Sequence, residues 1–547
     1  MTQPDLILTN ARIRTMDPDT PFAEAIAVAG GVIVAVGTAA EVDSLAGPDT
    51  RTHDLGGRAV IPGLIDSHTH GLWGATRDLV EVFTGLASGH DEMLAAVAAR
   101  VPQTKPGHWI IAGPWKTHMR PEMGSRPADI IDRIAPETPV AIKDITQHSL
   151  WLNSAAMRDA GIDASTADIP GGEIERDAQG NPTGILRENA MSLVATQILP
   201  PPSERARAVQ HMIKTFNSHG ITAFKEPMAF EAELEGYAEA EDAGTLTVHV
   251  AAHLTRQSPV DASMTPIETL QDWRKRYARP HISTDFAKLF LDGVAPSRTA
   301  AFVGAYLGAD PAAHDPQAML ILKPDVVAAE VTALDAAGFT VKMHAVGDRA
   351  VQAGLDGIEA ARKANGPSGL RHELAHCPYI RDQDIARFAE LDAVAEVSPK
   401  IWFPNPVTAG QQAALGEERA DLCHRIGDLL RAGAEVSYGS DWPAAAPDAN
   451  PWTGLAGMIS RRDPTGRFPG TVGADQAITL EQALTIFTVN GARTMNLQDR
   501  IGRLKPGFSA DMVVLERPLE DMTPEEIGAI TPDATLFEGR VVHGALS

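Results

Sequence analysis

Three amphipathic stretches of the 547-residue chain end at a glycine, Gly220, Gly338 and Gly433. Each glycine runs directly into an apolar, β-rich segment: GITAFKEP, GFTVKMHAVG and GAEVSYGSDWP. This repeated order of helix, glycine and strand constrains the fold more than any other feature. A glycine past a helix end tolerates the left-handed backbone that stops the helix. Strands that alternate with helices require a parallel sheet covered by those helices. Counting from VIPGLIDSHTH, the later candidates are GITAFKEP, LTVHVAAHL, AKLFLDGV, FTVKMHAVG, LRHELAHC, AVAEVSPK and VSYGSDWP. That makes eight strands, the number that closes a TIM (β/α)8 barrel. The count requires residues 75 to about 215 to be an insertion after the first barrel strand, although that stretch carries strand-like runs of its own, HWIIAGPW and PVAIKDITQH. An open doubly wound sheet is the alternative.

The two ends of the chain read differently. Residues 1–58 hold short β-type runs, DLILTNARIRTM and AEAIAVAGGVIVAVG, the second divided by Gly30 and Gly31 where a hairpin would turn. Residues 500–547 hold SADMVVLER and TLFEGRVVHG, separated by Pro- and acid-rich turns. These ends are expected to pair into one small β-sandwich beside a barrel spanning 59–499. Two unrelated β extensions are the alternative.

Composition narrows the function classes. Hydrophobic residues make up 44% and charged residues 22%, the profile of a globular enzyme rather than a disordered chain. A formal net charge of −24 argues against nucleic acid or an anionic membrane as partner. Cys377 and Cys423 are too few and too far apart for a disulfide framework. The segment MTQPDLILTN lacks the basic and apolar regions of a signal peptide, and no stretch approaches a bilayer span, so a cytoplasmic location is expected.

The C-terminal ends of barrel strands surround one pocket, so polar residues there are candidates for chemistry. His68 and His70 close the first strand, His344 ends VKMHAVG, His376 ends HELAH, and Asp441 ends SYGSDWP. Alternation within a strand puts positions i and i+2 on one face, which lets His68 and His70 reach a single ion. One such histidine is ordinarily a hydrogen-bonded packing residue; the joint placement of several at successive strand ends is stronger evidence of function. Neutral imidazoles and a carboxylate suit Zn, Mn, Fe or Ni and leave coordination positions for water.

VIPGLIDSHTH, KLFLDGVAPSRTA, HAVGDRA, the AH at 375–376 and GSDWP resemble, in order, the signatures of the amidohydrolase superfamily, and specifically its branch containing N-substituted formamide deformylases. NGARTMN and RIGRLKPGFSADMVVLE are similar to that family's return into the β-sandwich. The resemblance implies a metal-dependent hydrolase of non-peptide carbon–nitrogen bonds with one or two divalent ions, zinc foremost. Its ligands would be His68, His70, His344, His376 and Asp441. It also implies a carboxylated lysine on the fourth strand, which is Lys288 by the strand count; Lys225 in GITAFKEP is the rival. For each lysine the bland reading is an ion pair with a neighbouring acid, Glu226 or Asp292. In such a site bound cations acidify water and polarise the carbonyl, Asp441 carries the water's proton to the leaving nitrogen, and an anionic carbamate bridges the cations.

HELAH at 372–376 matches the HExxH zinc-protease signature, but that chemistry needs a helix. GPSG before it and Pro378 after it leave too little room for one. No G-x-S-x-G, P-loop or G-x-G-x-x-G is present. A metal held only for structure is disfavoured because such sites are typically closed and cysteine-rich. Within the insertion, KDITQHSLWLNSAAM and PGGEIERDAQGNPTGILREN resemble segments of the formamide-deformylase branch that cover the pocket. They make His148 a candidate for contacting the substrate carbonyl or its oxyanion, with a surface or core histidine as the alternative. Trp115, Trp402 and Trp442 are candidate pocket walls or equally core residues, and Lys225, if not the carbamate, joins Trp115 and Trp442 as substrate-facing. The substrate expected is a small-molecule amide, with cyclic amides, deamination or another superfamily reaction as the runner-up, and the resemblance suggests a homodimer.

Overall fold

A computed structural model describes residues 3–85, 89–144, 149–169, 172–198, 202–259, 263–444 and 446–546. Eight parallel strands form its central sheet: β1 Leu64–Asp66, β2 Ile221–Ala229, β3 His249–Thr255, β4 Ile282–Phe290, β5 Thr340–Ala345, β6 Glu373–His376, β7 Val394–Val397 and β8 Glu435–Tyr438. They neighbour one another in sequence order. A doubly wound sheet would reverse its order at a switch point, and this one does not. Backbone bonds past the strand ends join first to last: Ser67 N–H donates to Tyr438 O at 2.7 Å, Asp441 N–H to His68 O at 2.7 Å and His70 N–H to Trp442 O at 2.8 Å. The sheet therefore curls into a barrel, and the first and eighth strands meet where His68, His70 and Asp441 lie.

The glycine punctuation has the geometry its position requires. Gly220, Gly338 and Gly433 adopt φ of +82°, +77° and +78°, which bulkier residues rarely tolerate. At Gly220 space is also limiting, since a Cβ would stand 2.9 Å from the Val513 side chain. That contact lets the bottom of the barrel sit against the terminal strands.

Those strands interleave both chain ends. Ala59–Pro62 pairs antiparallel with Met512–Leu515 and parallel with Arg12–Arg14, within a six-stranded sheet. A four-stranded sheet, built from Leu6–Thr9, Ala25–Ala29, Val32–Gly37 and Arg51–Asp54, faces the same apolar core of Leu6, Leu8, Ile26, Ile33, Val60, Met512 and Leu536. The turn between Ala25–Ala29 and Val32–Gly37 holds Gly30 and Gly31 at φ +57° and +84°, the positive pair of a tight hairpin.

Between β1 and β2 the chain builds a separate six-stranded sheet that includes Ile110–Trp115, Val140–Asp144 and Pro182–Glu188. Trp115 lies inside this layer, 1% exposed, with its ring edge-on to Trp151 at 6.4 Å. Trp442 and Trp402 are fully buried as well; Trp442 meets Phe216 and the Arg77 guanidinium, and Trp402 donates to Gly454 O at 3.0 Å. Of the two readings open for these indoles, their burial favours packing in the core. His148 lies outside the described residues. Among the described residues no helix is long and apolar enough to cross a membrane, and both cysteines are free and buried.

Candidate metal centre

Four histidines and one aspartate gather at the C-terminal mouth of the barrel. One ligand atom from each of His68, His376 and Asp441 lies within 4.8 Å of the others. His70 Nε2 is 3.5 Å from Asp441 Oδ1, and the His344 ring is centred 4.5 Å from that of His376. Register explains the clustering: Ala345 on β5 pairs with His376 on β6, and Phe290 on β4 pairs with His344. Two of these residues occupy left-handed backbone, His376 at φ +76° and Asp441 at φ +55°. Such strain in non-glycine residues persists only where surrounding structure enforces it, commonly at functional sites.

Each imidazole is held at Nδ1. His68 Nδ1 makes a short contact with Glu396 Oε2. His70 Nδ1 faces Glu226 Oε1 at 3.4 Å, and Glu226 in turn accepts from Tyr237 O–H at 2.8 Å and Gly71 N–H at 3.1 Å. His344 Nδ1 meets Asp292 Oδ1 at 3.2 Å, while the Asp292 carboxylate accepts from the amides of Val346, Gly347 and Ala301. His376 Nδ1 lies 3.2 Å from Ser398 O and 3.0 Å from Ser398 Oγ. A partner on Nδ1 fixes the tautomer and leaves the Nε2 lone pair for a cation.

These donors fit a divalent metal. His68 Nε2 and His70 Nε2 stand 3.4 and 3.5 Å from Asp441 Oδ1, long for a hydrogen bond. Ligands bound about 2.1 Å from a tetrahedral ion are separated by about 3.4 Å. Burial, followed by the nearby Lys342 ammonium, holds His68 far below the ordinary imidazole range and therefore neutral. Burial also lowers His70, but the facing Asp441 and Glu226 carboxylates outweigh that and raise it to about 9, so a bound cation would take the place of a proton there.

The lysines separate clearly. Lys288, on β4, is 1% exposed; among the described residues no hydrogen-bond acceptor is paired with its Nζ, which lies 4.9 Å over the Phe290 ring. Burial and then the Lys342 charge push it down to about 7. Lys225 lies on β2, not on the fourth strand, and pairs closely with Glu373 while donating to Thr494 O at 2.7 Å. With no exposed surface it cannot face a substrate, so that expectation is corrected. Neither lysine forms the pair suggested by its neighbours in sequence: Glu226 holds His70, and Asp292 holds His344. HELAH is strand at Glu373–His376, with Glu373 buried in the barrel interior and His372 bound to Asp335 Oδ1 at 2.9 Å. The helical protease arrangement is absent.

Sequence reasoning missed Glu396, Glu226 and Ser398. A carboxylate inside the otherwise apolar run AVAEV was the one available signal. It also missed two half-buried rings beside the ligands: Trp73 is edge-on to His70 at 5.4 Å, and Phe290 lies 5.9 Å from His344.

A barrel mouth with convergent imidazoles, one strained aspartate and room for an ion defines a metal-dependent hydrolase. The chain belongs to the amidohydrolase family, which matches residues 51–543. It is 28% identical to Protein LONG AFTER FAR-RED 3 of Arabidopsis thaliana, over 96% of this chain and 89% of the relative. It is also 28% identical to an N-substituted formamide deformylase of Arthrobacter pascens, over 98% of this chain and 97% of the relative. Among solved structures, an uncharacterized metal-dependent hydrolase from Pyrococcus horikoshii superposes with a TM-score of 0.75 at 22% identity, covering 98% of this chain and 100% of the other. The chain is thus a metal-dependent hydrolase acting on carbon–nitrogen bonds.

Proposed function

We propose that the protein hydrolyses the C–N bond of a small carboxamide bearing an apolar N-substituent. The observation that carries this reading is the convergence of His68, His376 and Asp441 within 4.8 Å at the barrel mouth. His68, His70, His344, His376 and Asp441 would hold zinc, which when bound supplies an acidified water and polarises the carbonyl. The Asp441 carboxylate, beside both His68 and His70, would accept the water's proton as the oxygen–carbon bond forms. It returns that proton to nitrogen as the C–N bond breaks, leaving a carboxylic acid and an amine, and the acid gives its remaining proton to the amine to become a carboxylate. Trp73 and Phe290 flank the site with half-exposed rings suited to an apolar amide substituent. A relative named for N-substituted formamides supports the same substrate class.

Lys288 is assigned as the carboxylated residue. Held near 7 by burial, its amine has a neutral fraction that can attack carbon dioxide; the N–C bond forms and one proton leaves, giving a carbamate anion. A homodimer in the cytoplasm belongs to the same reading and is open to light scattering and fractionation.

The test is turnover of N-substituted formamides by the zinc-loaded protein, before and after chelation, beside Asp441→Asn. Expected are loss of turnover on chelation, its return with zinc, and a fall of about 10²–10⁴-fold in Asp441→Asn with an unchanged circular dichroism spectrum. Labelling with ¹³C-bicarbonate should give a carbamate resonance that vanishes in Lys288→Met. Chelator-resistant turnover, or full activity in Asp441→Asn, defeats the proposal.

A further inference from the structure

Beneath the ligand atoms the barrel interior holds a second charged layer. Lys225 on β2, Lys342 on β5, Glu373 on β6 and Glu396 on β7 are all fully buried. Lys225 pairs with Glu373 Oε1. Lys342 Nζ lies 3.2 Å from Glu373 Oε2 and 3.5 Å from Glu396 Oε2, and it donates to Ser67 O. Glu396 Oε2 ends the chain on His68 Nδ1. Withdrawing four such ionisable side chains from water is costly, and apolar residues of equal volume would stabilise the barrel at least as well. Stability alone therefore does not account for this layer, whereas its connection to His68 does.

Lys342 acts on His68 in two ways, holding the carbonyl of the preceding residue and the carboxylate that meets the ring. The other orienting acids are fixed differently. Asp292 is held by three backbone amides, and Glu226 by a tyrosine and one amide. Among these acids Glu396 alone is ion-paired to a lysine that also holds the carbonyl of the residue before the ligand.

We propose that Glu396, clamped by Lys342, is a positioning residue that fixes His68 with its proton on Nδ1 and turns Nε2 toward the metal. The inference rests on the reading of His68 as a ligand. It treats the interior salt-bridge chain as part of the metal-binding apparatus, acting through His68 without touching ion or substrate.

Glu396→Gln keeps the side-chain shape and removes its charge. Zinc affinity, read by competition with a chromogenic chelator, should weaken by about 10- to 100-fold. In a His68→Ala background the same substitution should have no further effect on affinity, because its route to the ion is gone. A Glu396→Gln protein that melts at lower temperature yet binds zinc as tightly as wild type overturns the inference and leaves the layer a stability feature. So does a penalty that persists undiminished without His68. Should Glu396→Gln fail to fold, ¹⁵N histidine spectra of the metal-free wild-type chain decide. His68 protonated at Nδ1 supports the inference, and His68 protonated at Nε2 overturns it. A wild-type chain that binds no divalent cation removes the ligand reading first, a result separate from unchanged affinity in the variant.

Discussion

Gly439 sits where the chain leaves β8, against the ring it helps to place. A Cβ there would stand 2.4 Å from His68 Cβ, 2.8 Å from Glu396 Oε1 and 3.0 Å from Ser398 Cβ. All three neighbours are buried and engaged, so none can yield cheaply. Gly439→Ala is expected to cost about 1–3 kcal/mol of stability through overpacking and to weaken zinc binding, because the methyl pushes on the ligand and on its positioning acid together. Denaturant melts with chelator competition measure both; an alanine variant of wild-type stability and affinity would show that this corner gives way. The ligand histidines were legible at this scale because each ends an apolar run. Their Nδ1 partners were not, since Glu396 is 328 positions from His68 and only register brings them together.

At the scale of elements, the helix Gly71–Val80 follows β1 and carries Trp73 to the mouth. Its approach is set by Gly74, where a Cβ would lie 2.4 Å from the Trp442 ring. Trp442 is pinned between this helix and Phe216, so the helix must move if a methyl is added. Gly74→Ala should displace Trp73 from His70, raising KM for N-substituted amides more than it lowers kcat, while zinc content stays at the wild-type level. Steady-state kinetics with metal analysis check this, and an unchanged KM would remove Trp73 from the substrate wall. All eight barrel strands were legible as elements, for their apolar runs are bounded by glycine or turn residues. The sheet built between β1 and β2 was visible only as stray strand-like runs, because its pairing partners are scattered along that stretch.

For the whole molecule, the contact between barrel and terminal strands carries a pH dependence. His281, just before β4, bridges Glu241 at 2.9 Å and Glu538 of the C-terminal segment at 3.0 Å, beside the buried His249–Asp511 pair. The bond to Glu538 raises His281 above its ordinary 6.5; burial opposes the shift and the bond to Glu241 adds to it. A raised imidazole contributes stability that is fully present below pH 6.5 and is lost as pH climbs through the raised value. Unfolding free energy should therefore decline above pH 6.5 by about 1 kcal/mol from this group, and His281→Gln should remove that part of the slope. Urea melts across the range test it, and identical slopes in both proteins would dismiss the bridge as a stability term.

The sequence by itself determined the βα repeat, the eight strands and the four histidines and aspartate at their ends, because local periodicity and glycine punctuation depend on neighbours a few residues away. Tertiary structure alone decided which nitrogen each imidazole presents, which lysine has no paired acid among the described residues, and which aromatic rings stand beside the ligands. Trp115 and Trp442 read equally as pocket wall or core in sequence and are buried in packing, while Trp73 and Phe290 look ordinary and stand beside the ligands. The physical reason is that burial, ion pairing and tautomer depend on distances across the barrel, which close only when strands hundreds of residues apart are brought into register.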